Sequence, residues 1–167
     1  MKQWFALYVQ PRKEKVVEKG LIKNNFECYL PLKREVHKWS DRRKLVLCPL
    51  IPSYIFVKVD SDEMYKTLQI TGAVRFIYFN KKPAAIPDNQ IEYMKELIES
   101  DREITVSSMS FQKGDKVAIV DGKFKGMEGL IIQEKGKNKR FVIRIENIAM
   151  DLNIDISQDE MDNIKKI

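Results

Sequence analysis

The chain has 167 residues, of which 44% are hydrophobic and 32% charged, a composition that excludes disordered and fibrous proteins. Its apolar runs are much shorter than a membrane span, and its N-terminus lacks a signal-peptide cleavage site, so we expect a cytoplasmic protein that does not contact membranes. The net charge is +6, with nine basic against four acidic residues over 106–144, which is typical of proteins that contact polyanions.

The first part of the chain alternates strand and helix patterns. The aromatic and β-branched stretch 4–10 (WFALYVQ) predicts a strand. After Pro11, Val17 and Leu21 stand one turn apart, which predicts a helix that ends near Asn24–Asn25. A short strand is predicted next, in ECYLPL.

The pattern continues with two further strands and two helices. Stretch 53–59 (SYIFVKV) alternates between two faces, and 73–79 (AVRFIYF) predicts another strand. Asp60 and Glu63 have capping-box spacing, which predicts a short helix. Asp88 is expected to cap a helix with one apolar stripe, formed by Ile91, Met94, Leu97 and Ile98. This order predicts an α+β fold with an antiparallel sheet and flanking helices.

The second part is nearly all β. Short β-branched runs (KVAIV, GLIIQE, RFVIRI and MDLNIDI) are separated by glycine-rich or lysine-rich turns, which predicts a small barrel. All six prolines lie at or before Pro87, and five of the seven glycines lie at or after Gly114, with a serine-rich stretch between them. We predict a first domain at 1–100, a linker at 101–110, the all-β domain at 111–156, and a short helix or tail at 157–167.

The cysteine and histidine content argues against an enzyme. Cys28 and Cys48 have no histidine near them in the sequence, so we expect reduced, half-buried thiols and no metal site. His37 likewise has no evident partner that would make it a base or a ligand. Without a nucleophile–base pair, a metal cluster or a cofactor loop, we expect neither catalysis nor a cofactor.

The glycine-rich stretch GDKVAIVDGKFKGMEGLI (114–131) does not match a nucleotide-binding loop. Gly122-Lys123 is followed by Phe124 where a P-loop requires Ser or Thr, and no G-x-G spacing of a dinucleotide fingerprint occurs. Asp121-Gly122 instead predicts a tight turn, and Gly126 and Gly129 supply positive-φ or close-approach positions. The glycines are predicted to build the barrel.

Two motifs carry a resemblance to a known family. Stretch 114–131 resembles the KOW motif, and PLIPSYIFV (49–57) resembles the signature of the NusG N-terminal domain. Trp4 opens the first strand as in that family, and PAAIPDNQI (83–91) is similar to the segment before its last helix. The resemblance covers nearly the whole chain in the family's domain order. It implies a NusG N-terminal domain followed by a KOW domain, in a factor that travels with RNA polymerase.

The resemblance implies several binding residues. The polymerase clamp helices would be received by a pocket at Tyr8, Ile51, Tyr54, Phe56 and Phe79, although for Phe56 and Phe79 core packing is as good an interpretation. A second polymerase contact would involve Tyr65, Lys66 and Thr67, with an exposed helix face as the alternative. The partner surface of the KOW domain would include Phe124 and Lys125, unless Phe124 packs under its turn.

The stretch KREVHKWSDRRK (33–44) carries six basic residues against two acidic ones. It resembles the hairpin tip that lies near upstream DNA in NusG-like proteins. Its basic side chains and single aromatic ring would suit non-template DNA, and the residues concerned are Trp39, Arg42, Arg43 and Lys44. The alternative is a solvated loop.

The resemblance leaves more than one class open. Ser53 and the compact hairpin loop resemble specialised antiterminators of the UpxY and RfaH type, which serve surface-polysaccharide operons. A housekeeping factor that also serves Rho is one alternative, and a ribosomal KOW-type RNA-binding protein is another. The KOW partner would be Rho or a ribosomal protein, and we expect a monomer.

Overall fold

The computed structural model describes residues 1–108, 114–133, 139–157 and 159–167. These residues form two compact units, Met1–Asp88 and Asn89–Ile167. Among them, no helix is both long enough and apolar enough to cross a membrane.

The first unit is built on an antiparallel sheet. Its elements are β1 (Gln3–Val9), α1 (Glu14–Lys23), β2 (Glu27–Tyr29), β3 (Leu32–Lys38), β4 (Arg43–Pro49), β5 (Tyr54–Val59), α2 (Met64–Leu68), β6 (Ala73–Phe76), β7 (Tyr78–Phe79), β8 (Lys82–Pro83) and β9 (Ala85–Ile86). The sheet runs β2-β5-β1-β6, and β9 also pairs with β1. Strands β3 and β4 form a separate two-stranded hairpin, as do β7 and β8.

The core of the first unit follows from the alternation along β1 and β5. Leu7 pairs with Ile55, and Phe5 with Val57, so that their side chains share one face of the sheet. Helix α1 packs Val17 and Leu21 into the same buried cluster. This arrangement confirms both the predicted helix and the predicted two-faced strand.

In its described residues, the second unit contains one α-helix, short 3₁₀ helices and a sheet. Its elements are α3 (Asp88–Glu99), β10 (Thr105–Ser108), β11 (Asp115–Ile119), β12 (Glu128–Gln133), β13 (Lys139–Ile145), β14 (Met150–Asp155) and β15 (Ile164–Lys166). The sheet is antiparallel, with the order β10-β14-β13-β12-β11-β15. The mixed fold, with an antiparallel sheet of strands β10–β15 after α3, is therefore as predicted.

The unit boundary differs from the predicted domain boundary. Helix α3 belongs with the second unit, where Gln90 Nε2 donates to the carbonyl of Arg144 at 3.2 Å and the Tyr93 hydroxyl donates to that of Gly126 at 3.1 Å. Part of the predicted linker is strand β10, because Thr105–Ser108 pairs with β14. Residues 109 and 110 of that linker, and 111–113 of the predicted KOW domain, lie outside the described residues.

The predicted C-terminal helix or tail is a 3₁₀ helix followed by a strand. The 3₁₀ helix spans Asp159–Asn163, and β15 then pairs with β11 at the edge of the sheet. Ser157 and Glu160 interact at the start of this segment, where the Ser157 backbone N–H donates to Glu160 Oε2 at 3.0 Å. The end of the chain thus contributes an edge strand.

Candidate functional site

Tyr8 and Tyr54 form an aromatic pair at one end of the first unit's sheet. They are direct cross-strand partners in β1 and β5, with ring centroids 5.7 Å apart and ring planes at 81°. Arg75, opposite Tyr8 on β6, places its Cζ 5.6 Å from the centre of the Tyr8 ring. Both tyrosines are half-buried, so the pair is fixed by its neighbours yet keeps solvent-facing surface. We call Tyr8, Tyr54 and Arg75 the aromatic cluster.

The turn before β5 positions Tyr54. The Tyr54 N–H donates to the carbonyl of Ile51 at 3.3 Å, and Ser53 has a φ of 65°, which with Pro52 at the second position matches a type II turn. The Ser53 N–H donates to the buried Glu14 carboxylate at 2.9 Å. The Ser53 carbonyl accepts a hydrogen bond from the Val9 N–H at 2.9 Å, and this bond ties the turn to the end of β1.

Two of the predicted polymerase contacts belong to the core. Ile51 and Phe56 are both 0% exposed, so neither presents a side chain to a partner. For Phe56, burial favours the packing interpretation. For Ile51, burial corrects its place in the predicted pocket, because its side chain packs in the core. Arg75 was missing from the prediction, although alternation along 73–79 already puts it on the face opposite Phe76.

Phe79 lies in the small hairpin of β7 and β8 and is 51% exposed. The turn between these strands uses Asn80 and Lys81, both with positive φ, as a two-residue type I′ hairpin requires. Tyr78 is also exposed. The hairpin thus presents two aromatic rings, of which only Phe79 was predicted.

The predicted second contact is only partly on the surface. Tyr65 is 72% exposed and Lys66 is also exposed. Thr67 is fully buried, and its hydroxyl donates to the carbonyl of Met64 at 2.8 Å. Thr67 is therefore a packing residue of α2 and is removed from the predicted contact set.

The basic tip of the β3–β4 hairpin is fully solvent-facing. We use this name for Trp39, Arg42, Arg43 and Lys44, all of which are exposed. The Trp39 N–H donates to the carbonyl of Arg42 at 2.8 Å and closes the turn between the strands. The basic tip thus presents three cationic side chains and one exposed aromatic ring at the end of the β3–β4 hairpin.

The same hairpin assembles a group that was not expected. His37 Nε2 lies 3.5 Å from Cys48 Sγ and 3.4 Å from Glu35 Oε2. The expectation that neither cysteine has a histidine partner was therefore wrong. The pairing of Lys33 with Cys48 and of His37 with Lys44 places Glu35, His37 and Cys48 on one face. We call these three residues the donor cluster.

Two pKa shifts accompany the donor cluster. Burial raises the pKa of the Cys48 thiol, and the negative charge of Glu35 raises it further. A hydrogen bond from Lys33, whose Nζ lies 2.6 Å from Glu35 Oε1, lowers the pKa of the Glu35 carboxyl. The Cys48 thiol is thus protonated at neutral pH, and Glu35 is an anion.

In the second unit, the predicted partner residues lie in the loop 120–127, which is longer than the predicted tight turn. Lys125 is exposed, whereas Phe124 is half-buried and lies 6.0 Å from Arg102 Cζ. Phe124 also lines a cavity of about 290 Å³ together with Leu97 and Phe141. One side of Phe124 thus lies against this cavity, and the residue is only half-buried. Phe124 is therefore neither a fully exposed partner contact nor a side chain packed entirely under its turn.

The electrostatics around this cavity are set by an ion pair. Both terminal guanidinium nitrogens of Arg102 donate to the Glu160 carboxylate, and Nη2 lies 3.1 Å from Oε2. Nη2 also donates to the carbonyl of Asp155 at 2.8 Å. The hydrogen bond from Arg102 lowers the pKa of the Glu160 carboxyl to about 2, and the bonds from Ser157 add to this effect. The pair ties the 3₁₀ helix to the segment before β10.

Comparison with known proteins agrees with this architecture. The family model described as "Transcription termination factor nusG" matches residues 2–95. The "Transcription termination/antitermination protein NusG" of Rickettsia felis is 24% identical over 153 residues, covering 83% of this chain and 80% of its own length. The protein of the same name from Rickettsia typhi is 21% identical over 160 residues, covering 83% and 79%.

A solved structure also shares the fold. The structure described as "Domain interaction in Thermotoga maritima NusG" aligns with 100% of this chain and 98% of its own, with a TM-score of 0.52 and 16% identity. The family-model match covers more than half of the chain. The chain belongs to the NusG family of transcription termination/antitermination factors.

Proposed function

We propose that this chain is a transcription elongation and antitermination factor that binds RNA polymerase through the aromatic cluster. The observation that carries the proposal is the perpendicular, half-buried pair of Tyr8 and Tyr54 with Arg75 beside it. Family membership supports the general role. Tyrosine and arginine are also the residue types that most often dominate the binding energy of protein interfaces.

The geometry of the cluster suits a helical partner. Each ring offers an apolar body and a hydroxyl, and the pairing of β1, β5 and β6 fixes the cluster before binding. A preorganised surface of this kind loses little side-chain entropy on association. We infer that the clamp helices of the polymerase dock here, with Phe79 and Tyr65-Lys66 as additional exposed contacts.

We further propose that the basic tip contacts upstream or non-template DNA. Trp39, at 62% exposed, is available for stacking on an unpaired base. Arg42, Arg43 and Lys44 supply the phosphate contacts that govern such binding.

For the second unit we propose a protein partner, either Rho or a ribosomal protein, that contacts Lys125 and the open side of Phe124. We also propose that the chain is a specialised paralogue that acts on a few long operons, such as those for surface polysaccharides. The housekeeping form commonly has glycine at the position of Ser53. Here serine occupies a turn whose positive φ favours glycine, and this difference from the housekeeping form supports a specialised paralogue.

The test is a pull-down of core RNA polymerase by the tagged chain. We expect Tyr54→Ala to weaken binding by about 2 kcal/mol, which is about 30-fold in affinity. Tyr78→Ala is the matched control, because it removes an exposed tyrosine outside the cluster and should leave binding within about twofold. Equal binding by a folded Tyr54→Ala variant would remove the aromatic cluster from the proposal.

Transcript mapping in a strain that lacks the gene tests the specialised role. Loss of distal reads in a few operons supports an operon-specific antiterminator. Genome-wide changes at terminators would instead support a housekeeping termination factor. Copurification with ribosomal subunits in place of polymerase would support the ribosomal class and overturn the proposal.

A further inference from the structure

We propose that the donor cluster, Glu35, His37 and Cys48, is a binding site for a divalent transition metal of the zinc class. The site is formed across the β3–β4 hairpin and shares no residue with the polymerase and DNA contacts proposed above. Three observations support the site: the identity of the three donors, their separations and the strand pairing that holds them.

The chemical identity of the donors favours zinc over magnesium or calcium. A thiolate, an imidazole and one carboxylate are the ligand types that zinc takes in proteins, whereas hard cations prefer sets made of oxygen alone. Glu35 uses Oε1 for Lys33 and directs Oε2 at His37, so one carboxylate oxygen is available. A fourth position would remain open for water, as in zinc sites with three protein ligands.

Two of the three donor separations match tetrahedral coordination. Ordinary zinc–ligand bond lengths place a sulfur and a nitrogen ligand about 3.6 Å apart, and a nitrogen and an oxygen ligand about 3.4 Å apart. The structure has 3.5 Å between Cys48 Sγ and His37 Nε2, and 3.4 Å between His37 Nε2 and Glu35 Oε2. All three donor atoms lie within 4.8 Å of one another.

The backbone explains why the cluster forms. Glu35 and His37 are two residues apart in β3 and therefore point to the same face, and Cys48 reaches that face from β4, opposite Lys33. Within the described part of the chain, β3 and β4 pair only with each other. Isolated two-stranded hairpins are marginally stable in water. A metal ion that joins the two strands would therefore stiffen the β3–β4 hairpin, which carries the basic tip.

The experiment uses the full chain, freed of metal and kept reduced, with Co²⁺ as a spectroscopic probe and Zn²⁺ as a competitor. We expect one Co²⁺ per chain, with thiolate-to-metal charge-transfer absorption that Zn²⁺ abolishes. Cys48→Ser should remove this absorption, and His37→Gln and Glu35→Gln should each weaken binding by more than about tenfold. Cys28→Ser is the matched control and should behave like the unmodified chain.

A second measurement follows alkylation of the two thiols by mass spectrometry. Zn²⁺ should protect Cys48 and leave the rate at Cys28 unchanged, and His37→Gln should remove the protection. The proposal is overturned if excess Co²⁺ gives no charge-transfer band, if the band survives in Cys48→Ser, or if His37→Gln binds as tightly as the unmodified chain. Each of these results would mean that the three residues are only hydrogen-bonded neighbours.

Discussion

The Glu14 carboxylate, near the start of α1, accepts a hydrogen bond from the backbone N–H of Ser53 at 2.9 Å, and both residues are buried. This bond holds the turn that delivers Tyr54 to Tyr8. It satisfies a donor that would otherwise be buried without a partner. The stability of the sheet and the geometry of the aromatic cluster therefore depend on the same contact.

We predict that Glu14→Ala lowers the free energy of unfolding of the first unit by about 1–3 kcal/mol, the cost of a buried, unsatisfied donor. Tryptophan fluorescence during urea denaturation is a selective probe, because Trp4 and Trp39 both lie in this unit. Glu27→Gln, at an exposed position of β2, is the control and should change little. An unchanged unfolding midpoint for Glu14→Ala would show that water replaces the carboxylate.

The left-handed backbone of Ser53 gives a second test of the same turn. At a φ of 65°, a β-branched side chain clashes with the backbone whereas glycine is free of strain. Ser53→Val should therefore be about 1–2 kcal/mol less stable than Ser53→Gly in the same denaturation experiment. Equal stability of the two variants would argue that the turn relaxes to another conformation.

The alternation of apolar residues was sufficient to predict the core strands. Ile55 and Val57 lie in the first unit's core, as their spacing indicated, because side chains in a strand alternate between faces. The same rule could not say whether the opposite face is covered. Phe56 was therefore ambiguous from the sequence, and the structure shows that it is buried.

Contacts between distant residues were beyond sequence patterns. Cys48 and His37 meet because of the register of β3 and β4, which depends on the whole hairpin and not on local composition. Strand β15 was predicted as a helix or tail because its few residues carry no alternation that would indicate a partner strand. The carboxylate of Glu14 gave no local signal for its bond to Ser53, which lies 39 residues away.

The proposed DNA contact predicts a change in salt dependence. Arg42→Gln with Arg43→Gln should make the logarithmic salt slope of single-stranded DNA binding shallower by about 1.4, at about 0.7 for each lost phosphate contact. Binding can be followed by fluorescence anisotropy across several salt concentrations. Neutralising Lys19 and Lys23, two exposed residues of α1, removes the same charge and should leave the slope unchanged. Equal slopes for all three proteins would mean that the basic tip is simply solvated.

Gly129 should tolerate no side chain. A Cβ at this position would lie 2.6 Å from the carbonyl oxygen of Val142 and 2.7 Å from the ring of Phe141. Gly129→Ala should destabilise the second unit by about 1–3 kcal/mol through overpacking. Gly122→Ala is a useful comparison, because its Cβ meets no atom within 4 Å and only its φ of 86° opposes the change.

Hydrogen exchange distinguishes these two glycine variants. Leu130 and Val142 are partners in the pairing of β12 with β13, and their amides report on the sheet next to Gly129. We expect faster exchange along both strands in Gly129→Ala, and a change confined to the loop in Gly122→Ala. Unchanged exchange in Gly129→Ala would show that strand β13 and the Phe141 ring both shift without loss of stability.

The ion pair of Arg102 and Glu160 predicts acid sensitivity in the second unit. Because the pKa of Glu160 falls to about 2 in the folded chain, below its ordinary value of 4.5, the folded state binds its proton less readily than the unfolded state. The stabilisation is therefore fully present above about pH 4.5 and is lost as the pH falls towards 2. The Glu160 side chain is 39% exposed, so solvent screening limits the effect to about 1 kcal/mol.

The measurement is the pH dependence of second-unit stability, with the Glu160 carboxyl followed by NMR. Arg102→Gln should raise the pKa of Glu160 towards its ordinary value, because the largest cause of the shift is removed. That variant should be less stable at neutral pH and should lose less stability on acidification. Lys95→Gln, which leaves Arg102 and Glu160 intact, should titrate like the unmodified chain. A low pKa that persists in Arg102→Gln would assign the shift to the bonds from Ser157, whose N–H and hydroxyl each reach Glu160 Oε2 at 3.0 Å.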